Sequence, residues 1–338
     1  MRQRRRVLAA LAAVLVALAA AAPAQGARTA QVTVMTRNLY LGADLIPAAA
    51  AKDQQQLRDA ATAIVDHVQA TDFPARAKLL AAEVAKARPD LLALQEVATW
   101  RTGPGGAPAQ TVVYDWLALL RHQLARRHLR YRLVAAQPEF DFQVPTNLGY
   151  DARLTLRNAV LAGPRVKNVS SRSAQFKRFL PIHTQVGSAN IRRGYDAVTA
   201  SVGGVRFRLV NTHLEAYSPQ IRTDQAKELV AGPLKSRLPV ILAGDLNSDR
   251  AAAQPDDRLA FQALVDAGFG DRASRRPSCC HDDKTLRAND RFDHIVDHIM
   301  SRPRLSVVRT SVTGDGPRTP QGLWPSDHGG VVATLRVR

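Results

Sequence analysis

Residues 239–249 read PVILAGDLNSD, and the order of residue types there decides the fold class. Val240-Ile241-Leu242-Ala243 has the length and branching of a strand buried on both faces, the kind a helix-covered sheet requires. Gly244 permits a sharp departure or a close backbone approach, and Asp245 and Asn247 follow at the strand's carboxyl end. Side chains there stand on a rigid support at an open rim, where α/β proteins gather their ligand chemistry. The same residues also suit an Asx turn, in which Asp and Asn bond their own backbone, so the stretch alone leaves both uses open.

Working outward, the chain interleaves strand and helix patterns. QVTVMTRNLY (31–40) alternates as a first strand that reaches Asn38, and helical stretches are expected over 47–70 and 75–87. Arg88-Pro89-Asp90 stops the second of these, and LLALQEV (91–97) is a buried-type strand containing Glu96. Residues 101–110 read as a loop, 111–128 as an amphipathic helix, 131–136 as a strand, and 137–153, which lacks a regular period, as a long surface loop. Residues 198–214 read as two strands around Gly203-Gly204, with His213 at the exit. Helices over 218–231 and 257–268 flank the opening strand, and DHIM, LSVVRTSV and GGVVATLRV supply the last strands, the third preceded by WPSDH. No repeat or low-complexity linker divides residues 30–338.

The N-terminus is different in kind. MRQRRR, an apolar run and Ala22-Pro23-Ala24 have the form of a secretory signal peptide over residues 1–24, so export is expected, with a domain over 25–338. The apolar run is shorter than the roughly 20 residues of a membrane span. A composition that is 46% hydrophobic is ample for a sizeable core, so disorder is not the default. The formal charge is 47 − 29 = +18, and loss of Arg2, Arg4, Arg5 and Arg6 leaves 43 − 29 = +14. Such a balance attracts nucleic acid, anionic lipid or phosphorylated small molecules, and it serves equally as a solvated surface. The two cysteines, Cys279 and Cys280, are adjacent and in an oxidising compartment form a vicinal disulfide or stay as thiols. Adjacent ligands have poor bite geometry and zinc spacings are missing, so His281 beside them does not make a metal site.

Polar groups recur at the strand ends: Asn38, Glu96, His213, Asp245 with Asn247, Asp297, and Asp327 with His328. Each has an ordinary reading as a surface carboxylate, a satisfied histidine or a turn. Together they are carboxylates for a hard cation, amides for phosphate oxygens and two histidines for proton transfer, the inventory of metal-assisted phosphate-ester hydrolysis.

The ordered blocks RNLY, LQEV, NTHLE, GDLNS, DHIM and SDHGG strongly resemble the endonuclease/exonuclease/phosphatase superfamily, from about residue 31 to the C-terminus. The adjacent cysteines and the LWPSDHGGVVATL ending are similar to secreted bacterial members of unassigned substrate. The resemblance implies a four-layer α/β sandwich with two central mixed β-sheets packed face to face, and a site at one edge where the strand ends meet. It also implies Mg²⁺, with Mn²⁺ or Ca²⁺ as substitutes, bound by Glu96 with Asn38 beside it and Asp327 positioning metal or base. His328, oriented by Asp297, is then the proton acceptor, Asp245 and Asn247 orient nucleophile and phosphate, and His213 bonds a phosphate oxygen or assists the leaving group. In FDHIVDHIM the pair Asp293-His294 imitates Asp297-His298, and the family block prefers Asp297. The expected substrate is a phospholipid or small phosphoester, with a nuclease or a catalytically silent binding module as alternatives. A monomer without a stable protein partner is expected.

Overall fold

Aliphatic and β-branched runs build two sheets, and helices with one apolar face cover them. The computed structural model describes residues 28–184, 187–272, 275–281 and 285–338, so the expected signal peptide lies outside the described residues. In chain order the first half holds β1 (Ala30–Asn38), α1 (Ile46–Ala49), α2 (Gln54–Ala70), α3 (Phe73–Ala87), β2 (Leu91–Gln95), β3 (Thr99–Pro104), β4 (Thr111–Asp115), α4 (Trp116–Arg126), β5 (Arg132–Pro145) and β6 (Tyr150–Ala162). Then come β7 (Lys167–Gln175), β8 (Leu180–Thr184), β9 (Gly187–Ile191), β10 (Gly194–Val202), β11 (Val205–His213), α5 (Pro219–Ala231) and β12 (Val240–Asp245). The chain finishes with α6 (Pro255–Asp266), β13 (Gly270–Asp271), β14 (Asp297–Arg302), β15 (Ser306–Thr313) and β16 (Gly330–Val337). Asp53, Asp72, Asp115 and Ser218 cap α2, α3, α4 and α5 by accepting a backbone N–H of the first turn. Among the described residues no helix is long and apolar enough to cross a membrane.

One sheet runs β15-β16-β1-β2-β6-β3-β4, with β5 also on β6, and the other runs β13-β14-β12-β11-β10-β7; β8 and β9 form a hairpin of their own. The pairs β1/β2 and β11/β12 are parallel and their neighbours antiparallel, so both sheets are mixed. Val34, Ala93 and Val160 from the first sheet share one buried core with Phe207, Ile241 and Ile299 from the second. Helices α2, α3 and α4 cover the outer face of the first sheet through Leu80, Leu92 and Leu94, while α5 and α6 cover the second through Leu229, Leu242 and Leu264. The result is the expected four-layer α/β sandwich.

Register brings the polar strand ends to one edge. Asn38 faces Gln95 across β1/β2, His213 faces Asp245 across β11/β12, and Asp245 faces Asp297, the first residue of β14. Behind them, Gln95 Nε2 on β2 donates to Asn211 Oδ1 on β11 at 2.7 Å, a buried polar tie between the sheets. A buried amide pair of this kind fixes the sheets' relative register, because sliding either sheet would leave both groups unsatisfied.

The same register explains Gly244. A Cβ there would run into the backbone of Thr212 on the parallel neighbour β11, so only glycine permits the approach. Gly244→Ala should therefore lower stability by about 1–3 kcal/mol, the usual effect of forcing volume into a closed site. A urea midpoint unchanged in that variant would show that β11 and β12 have room to part.

Three expectations are corrected. Residues 137–153 are not a loop: β5 extends to Pro145 and pairs with β6 along its length, with register shifts at Leu133/Ala135 and Pro138/Phe140. Its inward positions Gln137 and Glu139 are polar, which hides the alternation of a half-buried strand. The helix expected over 111–128 begins only at Trp116, because Val112 and Tyr114 pair with β3 as strand. The expected loop over 101–110 is likewise strand as far as Pro104.

Candidate active site

The exits of β1, β2 and β12 turn sharply. Tyr40, Glu96 and Asn247 all have positive φ, at 57°, 52° and 47°, in the left-handed region that costs a non-glycine residue about 1–2 kcal/mol. Backbone held there must be fixed by its surroundings, and each of these turns is. Tyr40 N donates to Asn38 Oδ1 (2.9 Å), Leu41 N to Glu96 Oε2 (2.7 Å), and Asn247 N to Asp245 Oδ1 (2.8 Å). The buried Arg76 of α3 adds a clamp, donating to Leu39 O and Pro325 O at 2.9 Å each and so tying the β1 exit to the segment before Asp327. Burial draws that guanidinium down to about 10.

Asp245 is the hub. Its Oδ2 accepts from Asn38 Nδ2 at 3.1 Å and lies 3.5 Å from His213 Nε2 and 3.7 Å from His328 Nε2. Burial by itself would raise this carboxyl, but the two imidazoles and the bonds from Asn247 and Asn38 hold it below the usual carboxylate range. His328 Nδ1 donates to Asp297 Oδ2 at 2.9 Å, and Ser278 Oγ donates to the same oxygen at 2.8 Å. Burial opposes charge on His328, yet Asp297, Asp245 and Asp327 around it lift its pKa well above the ordinary histidine value. Asp293, the competitor in sequence, is exposed and pairs with His294 instead.

His213 has a different partner. Arg193 Nη1 lies 2.8 Å from its Nδ1, and the guanidinium also donates to Glu139 Oε2 at 2.9 Å. A guanidinium has only donors, so this contact requires the lone pair at Nδ1 and assigns the proton to Nε2, which faces Asp245. Burial would raise Glu139, and the Arg193 guanidinium beside it more than reverses this, leaving it a depressed carboxylate. No motif marks Arg193 or Glu139, and their contact joins β5 to the link before β10, far apart in the chain.

All eight expected residues belong to this edge. Asn38, His213, Asp245, Asp297 and His328 are linked through Asp245 or through the His328–Asp297 bond; Asn247 donates from Nδ2 to Leu214 O at 2.9 Å. Glu96 and Asp327, both half-buried, line a single cavity of about 570 Å³ together with His213, Asp245, Asn247 and His328, while Asn38 and Asp297 stand behind that lining. Beyond this polar end the cavity wall is apolar, formed by residues such as Leu45, Ala61, Val65, Phe142, Leu154 and Ile182.

Carboxylates and an amide are the donors a hard divalent ion takes. Asp245, Asp297 and His328 each bring one ligand atom within 4.8 Å of the others. In that triplet Asp297 Oδ2 and His328 Nδ1 are already engaged with each other, and Glu96 and Asp327 on the cavity wall are further carboxylates suited to such an ion. Cys279 Sγ stands 3.5 Å from His328 Nε2, but it is joined to Cys280 Sγ and offers no thiolate.

Similarity to known proteins agrees with the geometry. A solved endonuclease/exonuclease/phosphatase family protein from Bacteroides thetaiotaomicron superposes with TM-score 0.59 at 18% identity, covering 92% of this chain and 99% of that one. A mannosyl-6-phosphatase from the same organism gives TM-score 0.57 at 17% identity, with 90% and 99% covered. D. rerio TDP2 complexed with single strand DNA product gives 0.52 at 17%, with 90% and 99% covered. No curated protein sequence matches significantly. The profile described as Endonuclease/Exonuclease/phosphatase family matches residues 65–328, taking in the chain from α2 to His328. The chain therefore belongs to the endonuclease/exonuclease/phosphatase family and is a metal-dependent hydrolase of phosphate ester bonds.

Proposed function

We propose that this chain is an exported, Mg²⁺-dependent phosphoesterase acting on a phospholipid or other small phosphoester in preference to nucleic acid. The observation that carries the reading is the position of the polar cluster at one end of an apolar cavity. A nucleic acid backbone asks for a basic track, whereas an apolar wall suits the organic part of a small or amphipathic ester. Export rests on the N-terminal pattern of basic, apolar and small residues.

Glu96, Asn38 and Asp327 would hold the ion, whose chemistry when bound is to offset charge on the phosphoryl oxygens. The protein's own groups do the rest. His328 Nε2 takes the proton of the attacking water, and Asp297 at Nδ1 fixes the imidazole and stabilises the cation formed. Asp297, Asp245 and Asp327 favour its cation in the free site, so the base role requires the bound ion and substrate to offset them. Asp245 and Asn247 orient nucleophile and phosphate. His213, oriented by Arg193 at Nδ1, donates from Nε2 to a phosphate oxygen.

A nuclease is the second reading, and the formal charge of +18 is what favours it. The test is kcat/KM for phospholipid, small phosphoester and plasmid DNA, with Mg²⁺ or EDTA, at low and physiological salt. Mg²⁺-dependent hydrolysis of the first two, with little salt dependence, is expected. DNA cleavage that persists at physiological salt, without turnover of the others, would transfer the assignment to the nuclease.

A further inference from the structure

From the cavity wall we infer that the apolar chamber beside the catalytic cluster is a binding site for a single unbranched aliphatic chain, so that the substrate is an amphipathic phosphoester that enters tail first. This deepens the phosphoesterase reading and rests on it for the position of the phosphate. The chamber lies among α2, the exit loop of β1, the β5/β6 ribbon and the β8/β9 hairpin. The cavity as a whole, polar end included, has a volume of about 570 Å³, within the range that encloses most of a small ligand.

The chemistry of the wall selects the occupant. Leu57, Ala61, Ile64 and Val65 line it from α2 on the face turned towards the sheet, and Phe142 and Leu154 oppose them from β5 and β6. Polar groups within this region are engaged elsewhere: Trp100 Nε1 donates to Leu41 O at 3.0 Å, and Thr184 Oγ1 donates to Gly187 O at 2.8 Å. A sugar or nucleobase seated there would lose its hydrogen bonds to water and find few replacements. A hydrocarbon loses nothing polar and gains from burial. Glu96, Arg193, His213, Asp245 and His328 form the catalytic part of the lining, and Asp44, beside Leu45, accepts from Ile46 N at 2.8 Å. Ile46 of α1 belongs to the wall while 50% exposed, so the chamber has an apolar edge in contact with solvent, through which a chain can enter.

Two measurements separate this inference from the phosphoesterase reading. In EDTA, where no hydrolysis runs, the uncharged fluorophore 1-N-phenylnaphthylamine should bind the full-length exported protein. Straight-chain alcohols should displace it, with each added methylene from hexanol to decanol tightening displacement about fourfold. Ala61→Trp fills the chamber and should weaken probe binding by at least about tenfold. Ile182→Trp, on the half-buried face of the β8/β9 hairpin, should do the same and serves if the first variant does not fold. In Mg²⁺, kcat/KM for alkyl phosphates should rise with chain length over the same range. Probe binding retained in a folded Ile182→Trp variant, or alcohols equal in strength whatever their length, would overturn the chain site while leaving hydrolysis of short esters intact. Absence of hydrolysis for every phosphoester, with chain-length-dependent probe binding preserved, would instead remove the phosphoesterase reading alone.

Discussion

Replacing His328 with alanine is expected to lower kcat/KM by about 10³-fold, within the range that a positioned general base contributes. The expectation follows from how the imidazole is held. Its Nδ1 is bonded to Asp297, itself held by Ser278, and its Nε2 converges with that of His213 on one oxygen of Asp245. His213 also has a carboxylate near one nitrogen, Glu139 Oε2 at 3.7 Å from Nδ1, but at that nitrogen it meets the Arg193 guanidinium at 2.8 Å, whereas His328 bonds its carboxylate directly. His213→Ala should cost less, about 10²-fold, since it removes a donor to phosphate and leaves the base in place. The two losses should not multiply, because residues that act on one transition state fail together. A double variant whose loss equals the product of the singles would place one histidine outside the reaction. Thermal unfolding of each variant distinguishes lost chemistry from lost fold.

Much of the candidate site is legible in the sequence because its residues sit at strand ends, where local sequence carries a strong signal. A buried aliphatic run followed by Gly-Asp-Leu-Asn fixes both the strand and the direction in which Asp245 leaves it. Of the two Asp-His pairs in FDHIVDHIM, it is Asp297 that bonds His328, while Asp293 lies at the surface beside His294. What escaped were groups whose role depends on long-range pairing. Glu139 and Arg193 are ordinary charged residues in sequence, and only the meeting of β5 with the start of β10 makes them a buried ion pair against His213. Their polarity also disguised β5, since a strand whose inward positions are Gln137 and Glu139 does not show the alternation that burial normally writes into a sequence. Ser278 was invisible for a similar reason: its hydroxyl matters only because the loop bearing Cys279 bridges to both His294 and His328. The apolar chamber is built from several separate elements and so has no local pattern at all.

Glu96→Gln is the substitution expected to affect metal dependence most. Glutamine keeps the length of the side chain, and its amide oxygen can still accept from Leu41 N, so the left-handed turn at residue 96 retains its anchor. What changes is charge and ligand strength: a neutral amide is a poorer donor to a hard divalent ion than a carboxylate. Turnover at limiting Mg²⁺ should fall by about 10²–10³-fold, and saturating Mg²⁺ should recover only part of it. Mn²⁺, which tolerates mixed donor sets, should recover more than Mg²⁺. A readout independent of activity sharpens the test. An ion bound only by the folded state stabilises it by about 2.7 kcal/mol at a concentration of 100 Kd, so Mg²⁺ should raise the Tm of the wild-type protein. In Glu96→Gln the same concentration should raise it much less. Equal Tm shifts together with unchanged Mg²⁺ kinetics would take Glu96 out of the ion site and turn attention to the alternative triplet of Asp245, Asp297 and His328, in which binding an ion would require the His328–Asp297 bond to open.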